Sequence, residues 1–146
     1  MSHYRRLLVT TDYSERALVG LEEAAKLASD LGTEVVLAYV VQDRLPPMML
    51  GAGLHWQEMV EKHEATAMEA LKECAETHLP GLDTETVVRV GDPSEAILQL
   101  IEEKEVDLLV MASHGYGLVG QIVLGSTTER VLKRATCPVL VVRSRD

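Results

Sequence analysis

The chain has 146 residues, 47% apolar and 25% charged, with a formal net charge of -9 and a pI near 5.0. That length suits one domain over residues 1–146, large enough to bury roughly 68–70% of the surface of its unfolded chain without disulfides or metals. The negative surface argues against nucleic acid and anionic membranes as partners, no apolar run approaches the ~20 residues of a membrane helix, and the first residues lack the apolar core of a signal peptide, so a cytoplasmic protein is expected.

Residues 5–10 (RRLLVT) form a short apolar run that stops at Asp12 and Ser14, both good helix N-caps, which predicts a first strand followed by a helix. From 15 to 31, Ala17, Leu18, Leu21, Ala24, Ala25 and Ala28 recur at helical spacing, and Gly32 stands where a left-handed cap belongs. Gly20 inside this helix costs up to about 1 kcal/mol relative to Ala, so close packing on a sheet is its expected justification. Residues 34–41 (EVVLAYVV) read as a central parallel strand covered on both faces. Residues 42–53 then break regular structure through Pro46, Pro47 and two glycines, with an apolar Met48, Met49, Leu50 that suits either a loop tucked on the core or a flap over a ligand.

A long helix is expected over about 54–78, with Met59, Val60, His63, Ala67, Ala70, Leu71 and Cys74 as its apolar stripe. Residues 84–90 (TETVVRV) suit an edge strand, and Asp92-Pro93-Ser94-Glu95 is a strong helix start, for a helix running to about 104. A fourth strand over 106–112, a glycine-rich loop, a helix over about 127–134 and a fifth strand over 139–143 complete the pattern. Strands alternating with helices predict an α/β fold: an open five-stranded parallel sheet in the order 3-2-1-4-5, with right-handed crossovers and helices on both faces, Rossmann-like in form.

The chemistry concentrates at the end of the fourth strand. Its loop carries Gly115, Gly117, Gly120 and Gly125 and closes on Ser126-Thr127-Thr128-Glu129, a helix-start signature with Ser126 as the N-cap candidate. Unpaired N–H groups at such a start favour an anion, and glycines allow it close. Gly115, Gly117 and Gly120 satisfy G-x-G-x-x-G, but that fingerprint belongs after the first strand, with an acid about 20 residues on, where this chain has Leu140. No Gly-Lys pair occurs, which excludes a P-loop. A phosphorelay receiver is disfavoured as well, because the paired acids it needs after β1 are missing and the one acid after β3, Asp92 in Gly91-Asp92-Pro93, reads as a helix start.

With alanine at the first position, Ala112-Ser113-His114-Gly115, nine residues, then Gly125-Ser126 resembles the G-x2-G-x9-G-[ST] motif of nucleotide-binding universal stress proteins. Val9 to Ser14 is similar to that family's β1 end, Val90 to Pro93 to its β3 turn, and Cys137 to Val142 to its last strand, so the likeness spans nearly the whole chain. It implies an ATP-binding stress-response protein acting as a nucleotide-dependent switch or regulator. Gly115, Gly125 and Ser126 would hold phosphates, with Thr127 behind them in the helix start. Met111 and Ala112 would face ribose or base, and Asp12 with Val40 would border adenine. Thr10 stands where the family often has proline, and His114 lies inside the loop. The loop has no Lys or Arg between Ala112 and Glu129, so a triphosphate would need backbone dipoles and a divalent cation, Mg²⁺ or Mn²⁺.

The resemblance also implies a homodimer joined through the last strand from Val139 to Val142, an apolar edge that otherwise invites unwanted pairing. Two alternatives stay open: a nucleotide-free interaction module, and a slow ATPase or self-phosphorylating protein with Ser14 or Ser126 as acceptor. No nucleophile, base and orienting residue can be named together. Cys74 and His78 have the i, i+4 spacing of two metal ligands, which is too few for a site, and Cys74 and Cys137 read as reduced thiols.

Overall fold

The computed structural model describes residues 4–42, 53–113 and 124–143. Its elements are β1 (Arg6–Thr10), α1 (Glu15–Leu31), β2 (Glu34–Val41), α2 (Gly53–His78), β3 (Thr84–Val90), α3 (Pro93–Glu103), β4 (Leu108–Ser113), α4 (Ser126–Arg134) and β5 (Val139–Arg143). The strands form one sheet in the order β3-β2-β1-β4-β5, with every neighbouring pair parallel, as the alternation of strands and helices predicts.

Side chains alternate between faces along each strand, and both faces are covered. Leu7, Val9, Val35, Leu37, Leu108 and Val110 meet Leu21, Ala24 and Ala28 of α1 and Ala67 and Leu71 of α2. Leu8, Val36, Ala38, Leu109 and Met111 meet Ile97, Leu100 and Ile101 of α3 and Val131 of α4. This double cover is why β2 and β4 read as nearly unbroken apolar runs. Leu8, Leu37 and Leu109 are each 0% exposed, and burial of such a side chain contributes about 1.5–3 kcal/mol.

Gly32 ends α1 in the left-handed conformation at φ 65°, as expected. Gly20 is buried, and a Cβ built on it would lie 3.2 Å from the Cβ of Ala112, tighter than ordinary van der Waals contact. The helix thus crosses β4 at a distance that only glycine allows comfortably.

The stripe of α2 differs from expectation. Ala67 and Leu71 are buried, with Val60, Met68, Cys74 and Ala75 packed against them, but Met59 is 50% exposed and His63 is exposed. Positions 60, 67, 71 and 74 define the buried line, and 59 and 63 fall on its flank. His63 instead meets the hydroxyl of Tyr39 at 3.3 Å through Nε2. Strand β4 also begins at Leu108 rather than 106, because Val106 and Asp107 serve the turn. The Asp107 carboxylate accepts the backbone N–H groups of Arg5 and Arg6 at 2.8 and 3.0 Å, tying the entry of β1 to that of β4.

Candidate functional site

In open α/β sheets ligands bind beyond the carboxyl ends of the strands, where the strand order reverses. Here that point lies between β1 and β4, and a cleft of about 230 Å³ opens there. The β1 end supplies Thr10, Thr11 and Asp12, the β2 end Tyr39, Val40 and Gln42, and the β4 end Met111, Ala112 and Ser113. Helix starts complete it with Ser14, Arg16 and Ala17 of the α1 start, Pro93 and Ile97 of α3, and Thr127 and Thr128 of α4.

The β1–α1 turn is held by its own side chains. The Asp12 carboxylate accepts the Ser14 N–H at 2.9 Å, Thr11 Oγ1 accepts the Tyr13 N–H at 3.0 Å, and Ser14 Oγ accepts the Ala17 N–H at 3.2 Å. Tyr13 takes φ 65°, a conformation that costs a non-glycine residue about 1–3 kcal/mol. Its hydroxyl donates to the Ala67 carbonyl of α2 at 3.0 Å, and its ring lies 4.9 Å from that of Tyr39. Burial, with smaller effects of Tyr39 and Cys74, pushes the Tyr13 phenol up to about 12. Burial and the Asp12 charge raise that of Tyr39, so both phenols are donors at neutral pH.

Helix α3 is capped in the same manner, with the Asp92 carboxylate accepting the Glu95 N–H at 3.1 Å and the Ser94 hydroxyl at 2.6 Å. Helix α4 is not. Its N-cap is Gly125 at φ 87° and ψ 151°, a region essentially restricted to glycine, and no side chain bonds the first-turn N–H groups among the described residues. Beside this bare start, Ser113 is 1% exposed and its Oγ has no hydrogen-bond partner among the described residues. An unpaired buried hydroxyl costs about 1–3 kcal/mol, and such a group calls for an explanation.

Of the residues singled out from sequence, Thr10, Asp12, Val40, Met111, Ala112 and Thr127 come together in this cleft although they are spread over the whole chain. Gly125 and Ser126 immediately precede Thr127 but do not line it. His114 and Gly115 lie outside the described residues, as does the apolar segment from Met48 to Leu50. One assignment is corrected: Ser126 is the first helical residue, and its hydroxyl makes no cap. Gly125 takes the cap position because its backbone angles admit no side chain.

Arg16 was missed by the sequence reading, and Ser113, though it stands within the motif, was given no place of its own in the site. Ser113 could have been found from the strand alternation that places it on the buried face with Leu109 and Met111. Arg16 carried no local signal that could have singled it out.

Metal and thiol chemistry find little support elsewhere. Among the described residues no group of three or more His, Cys, Asp or Glu is placed to hold a metal ion, so Cys74 and His78 remain a pair. Cys74 packs with the α1 and α2 core and Cys137 with the α3 and α4 core, on opposite faces of the sheet, and both are free. Burial raises both thiols. Among the described residues no helix is long and apolar enough to cross a membrane.

Comparison with known proteins places this geometry among relatives. The family model described as "Universal stress protein family" matches residues 3–143. Universal stress protein MJ0577 of Methanocaldococcus jannaschii is 31% identical over 98% of this chain and 97% of its own. Its solved structure superposes with a TM-score of 0.81 over 98% of both chains, at 30% identity. Universal stress protein MJ0531 of the same organism is 34% identical over 96% of this chain and 82% of its own. A universal stress protein solved in complex with cAMP shares the fold at a TM-score of 0.67 and 23% identity, covering 97% of this chain and 98% of its own. With the family model matched over nearly the whole length, and with a relative of the same family superposing on the fold, the chain belongs to the universal stress protein family.

Proposed function

We propose that the chain binds an adenine nucleotide, ATP with Mg²⁺ or Mn²⁺, in the cleft between β1 and β4, and that it acts in the stress response as a nucleotide-dependent switch or regulator. The observation that carries this reading is the pairing of the uncapped start of α4 with the orphaned Ser113 hydroxyl in one cleft. A helix start offers N–H groups and a positive dipole end to a phosphate, and a buried hydroxyl gains a partner when the anion arrives. The cAMP complex of a protein of the same fold supports the adenine nucleotide as the ligand class.

In this reading Asp12 and Val40 border adenine, Met111 and Ala112 face the ribose, and Gly115, Gly125, Ser126 and Thr127 hold the phosphates, with Thr10 and His114 at the margins. The lining residues suit a metal that arrives on the phosphates rather than one held by the protein alone. Asp12 is the single carboxylate among the described lining residues, beside several hydroxyls, and Mg²⁺ is usually held by one or two carboxylates together with substrate phosphates and water. The metal would neutralise phosphate charge.

Titration of a fluorescent ATP analogue against wild type and Gly125→Val tests the proposal. Saturable binding is expected in wild type and a loss of at least about tenfold in the variant, because a side chain at φ 87° and ψ 151° strains the helix start. Absence of saturable binding in wild type refutes it.

A homodimer through β5 belongs to the same reading. The strand pairs with β4 on one side, and Leu140 and Leu132, both beyond one-third exposed, add apolar surface near that edge. Sedimentation at micromolar concentration is expected to give a dimer that Leu140→Glu dissociates. A wild-type monomer would contradict it.

A further inference from the structure

We propose that Arg16 reads the phosphates of the bound nucleotide and makes the cleft select a triphosphate over a monophosphate; this rests on the nucleotide reading above and adds to it a residue outside the glycine-rich motif. The segment from Ala112 to Glu129 contains no Lys or Arg, so it brings no permanently charged side chain to an anion carrying several negative charges. Among the described residues lining the cleft, Arg16 is the one cationic side chain.

It is also free, unlike several other cations of the protein. Arg6 is paired with Glu34, Arg89 with Glu103, Lys104 with Glu85, Arg130 with Asp92 and Arg134 with Glu95. Arg16 is exposed and makes no ion pair or hydrogen bond among the described residues. The nearby Asp12 carboxylate does not claim it, since it accepts the Ser14 N–H instead. An unpaired guanidinium keeps its fork of donors for a planar or tetrahedral oxyanion.

The helix geometry says which end of the nucleotide it meets. Arg16 precedes Gly20 by four residues, so the two lie on one face of α1, one turn apart. Gly20 is the point where that face touches Ala112 on β4. One turn toward the helix start, about 5.4 Å farther along, the same face stands over the end of β4, where Ser113 leads into the glycine-rich loop. This is the β4 side proposed for phosphates, away from Val40 on β2. The close approach at Gly20 is therefore what delivers Arg16 to its place.

Calorimetric titration of ATP and AMP into wild type, Arg16→Gln and Arg16→Lys, at low and moderate salt, tests the proposal. Wild type is expected to prefer ATP. Arg16→Gln should lose about tenfold or more in ATP affinity while AMP changes by less than about twofold, and the salt dependence of ATP binding should flatten. Arg16→Lys should recover part of the preference, since it restores charge without the fork. ATP affinity within twofold of wild type in Arg16→Gln, or equal losses for ATP and AMP, overturns the role of Arg16 while leaving the nucleotide site standing. Failure of wild type to bind either nucleotide overturns both readings. Because Arg16 is exposed and unpaired, unchanged thermal unfolding in the variants is expected and separates ligand effects from folding.

Discussion

Helices α1 and α3 and helix α4 begin near the same cleft, yet they treat their first-turn N–H groups differently. Ser14 caps α1 and Asp92 caps α3, each with its own side chain. Helix α4 starts on Gly125 and is left bare. A side-chain cap meets one of the start's free donors, as Ser14 does for the Ala17 N–H and Asp92 for the Glu95 N–H. A start with no side-chain cap, in one cleft with a buried serine that has no partner among the described residues, leaves donors available to an anion. The contrast locates the proposed phosphate site more sharply than the glycine count does, because glycine permits close approach without requiring a ligand.

The contrast can be broken at α4 first. Placing a carboxylate in its first turn with Ser126→Asp favours the helix dipole by about 0.3–1 kcal/mol, so the ligand-free protein should unfold at a slightly higher temperature. The same charge should repel a phosphate and weaken ATP binding by about tenfold or more. Opposite signs for stability and binding are the signature of an anion site; a variant that binds ATP as tightly as wild type would assign the bare start to architecture alone. At a capped helix the outcome should reverse. Asp92→Ala removes the acceptor for the Glu95 N–H and the Ser94 hydroxyl and should lower stability by about 1 kcal/mol in denaturant unfolding. ATP affinity measured under native conditions should stay within about twofold. A larger loss in binding than in stability would mean that α3 also takes part in holding the ligand.

The two halves of the site also differ in how legible they were. The β4 end, the glycine-rich loop and the helix start after it sit consecutively in the chain, so one contiguous motif carried the resemblance that named Met111, Ala112, Gly125 and Thr127. Asp12, Thr10 and Val40 came from resemblance and from the expected strand order, and the cleft does gather them. Arg16 escaped because nothing local marks it: in a helical register it reads as one solvated charge among many. Ser126 was given a capping role because serine is a favoured N-cap, but the glycine-only backbone at Gly125 moved the cap by one residue. Met59 and His63 were placed in the core stripe of α2 because they neighbour apolar positions at helical spacing. The exact rotation of that helix on the sheet, which left them on its flank, depends on packing partners from distant strands.

What the sequence by itself determined is the order of elements and the parallel sheet. Both follow from local signals: apolar runs buried on two faces, caps such as Ser14 and Asp92, and turns such as that at Gly32. Only the tertiary structure decided how closely α1 crosses β4. Gly20 and Ala112 lie 92 positions apart, and no periodicity in either segment states that a missing side chain on one meets a methyl group on the other. That contact fixes the helix one turn from the cleft and brings Arg16 to its rim. Distance along the chain hides such a pair, and close packing alone reveals it.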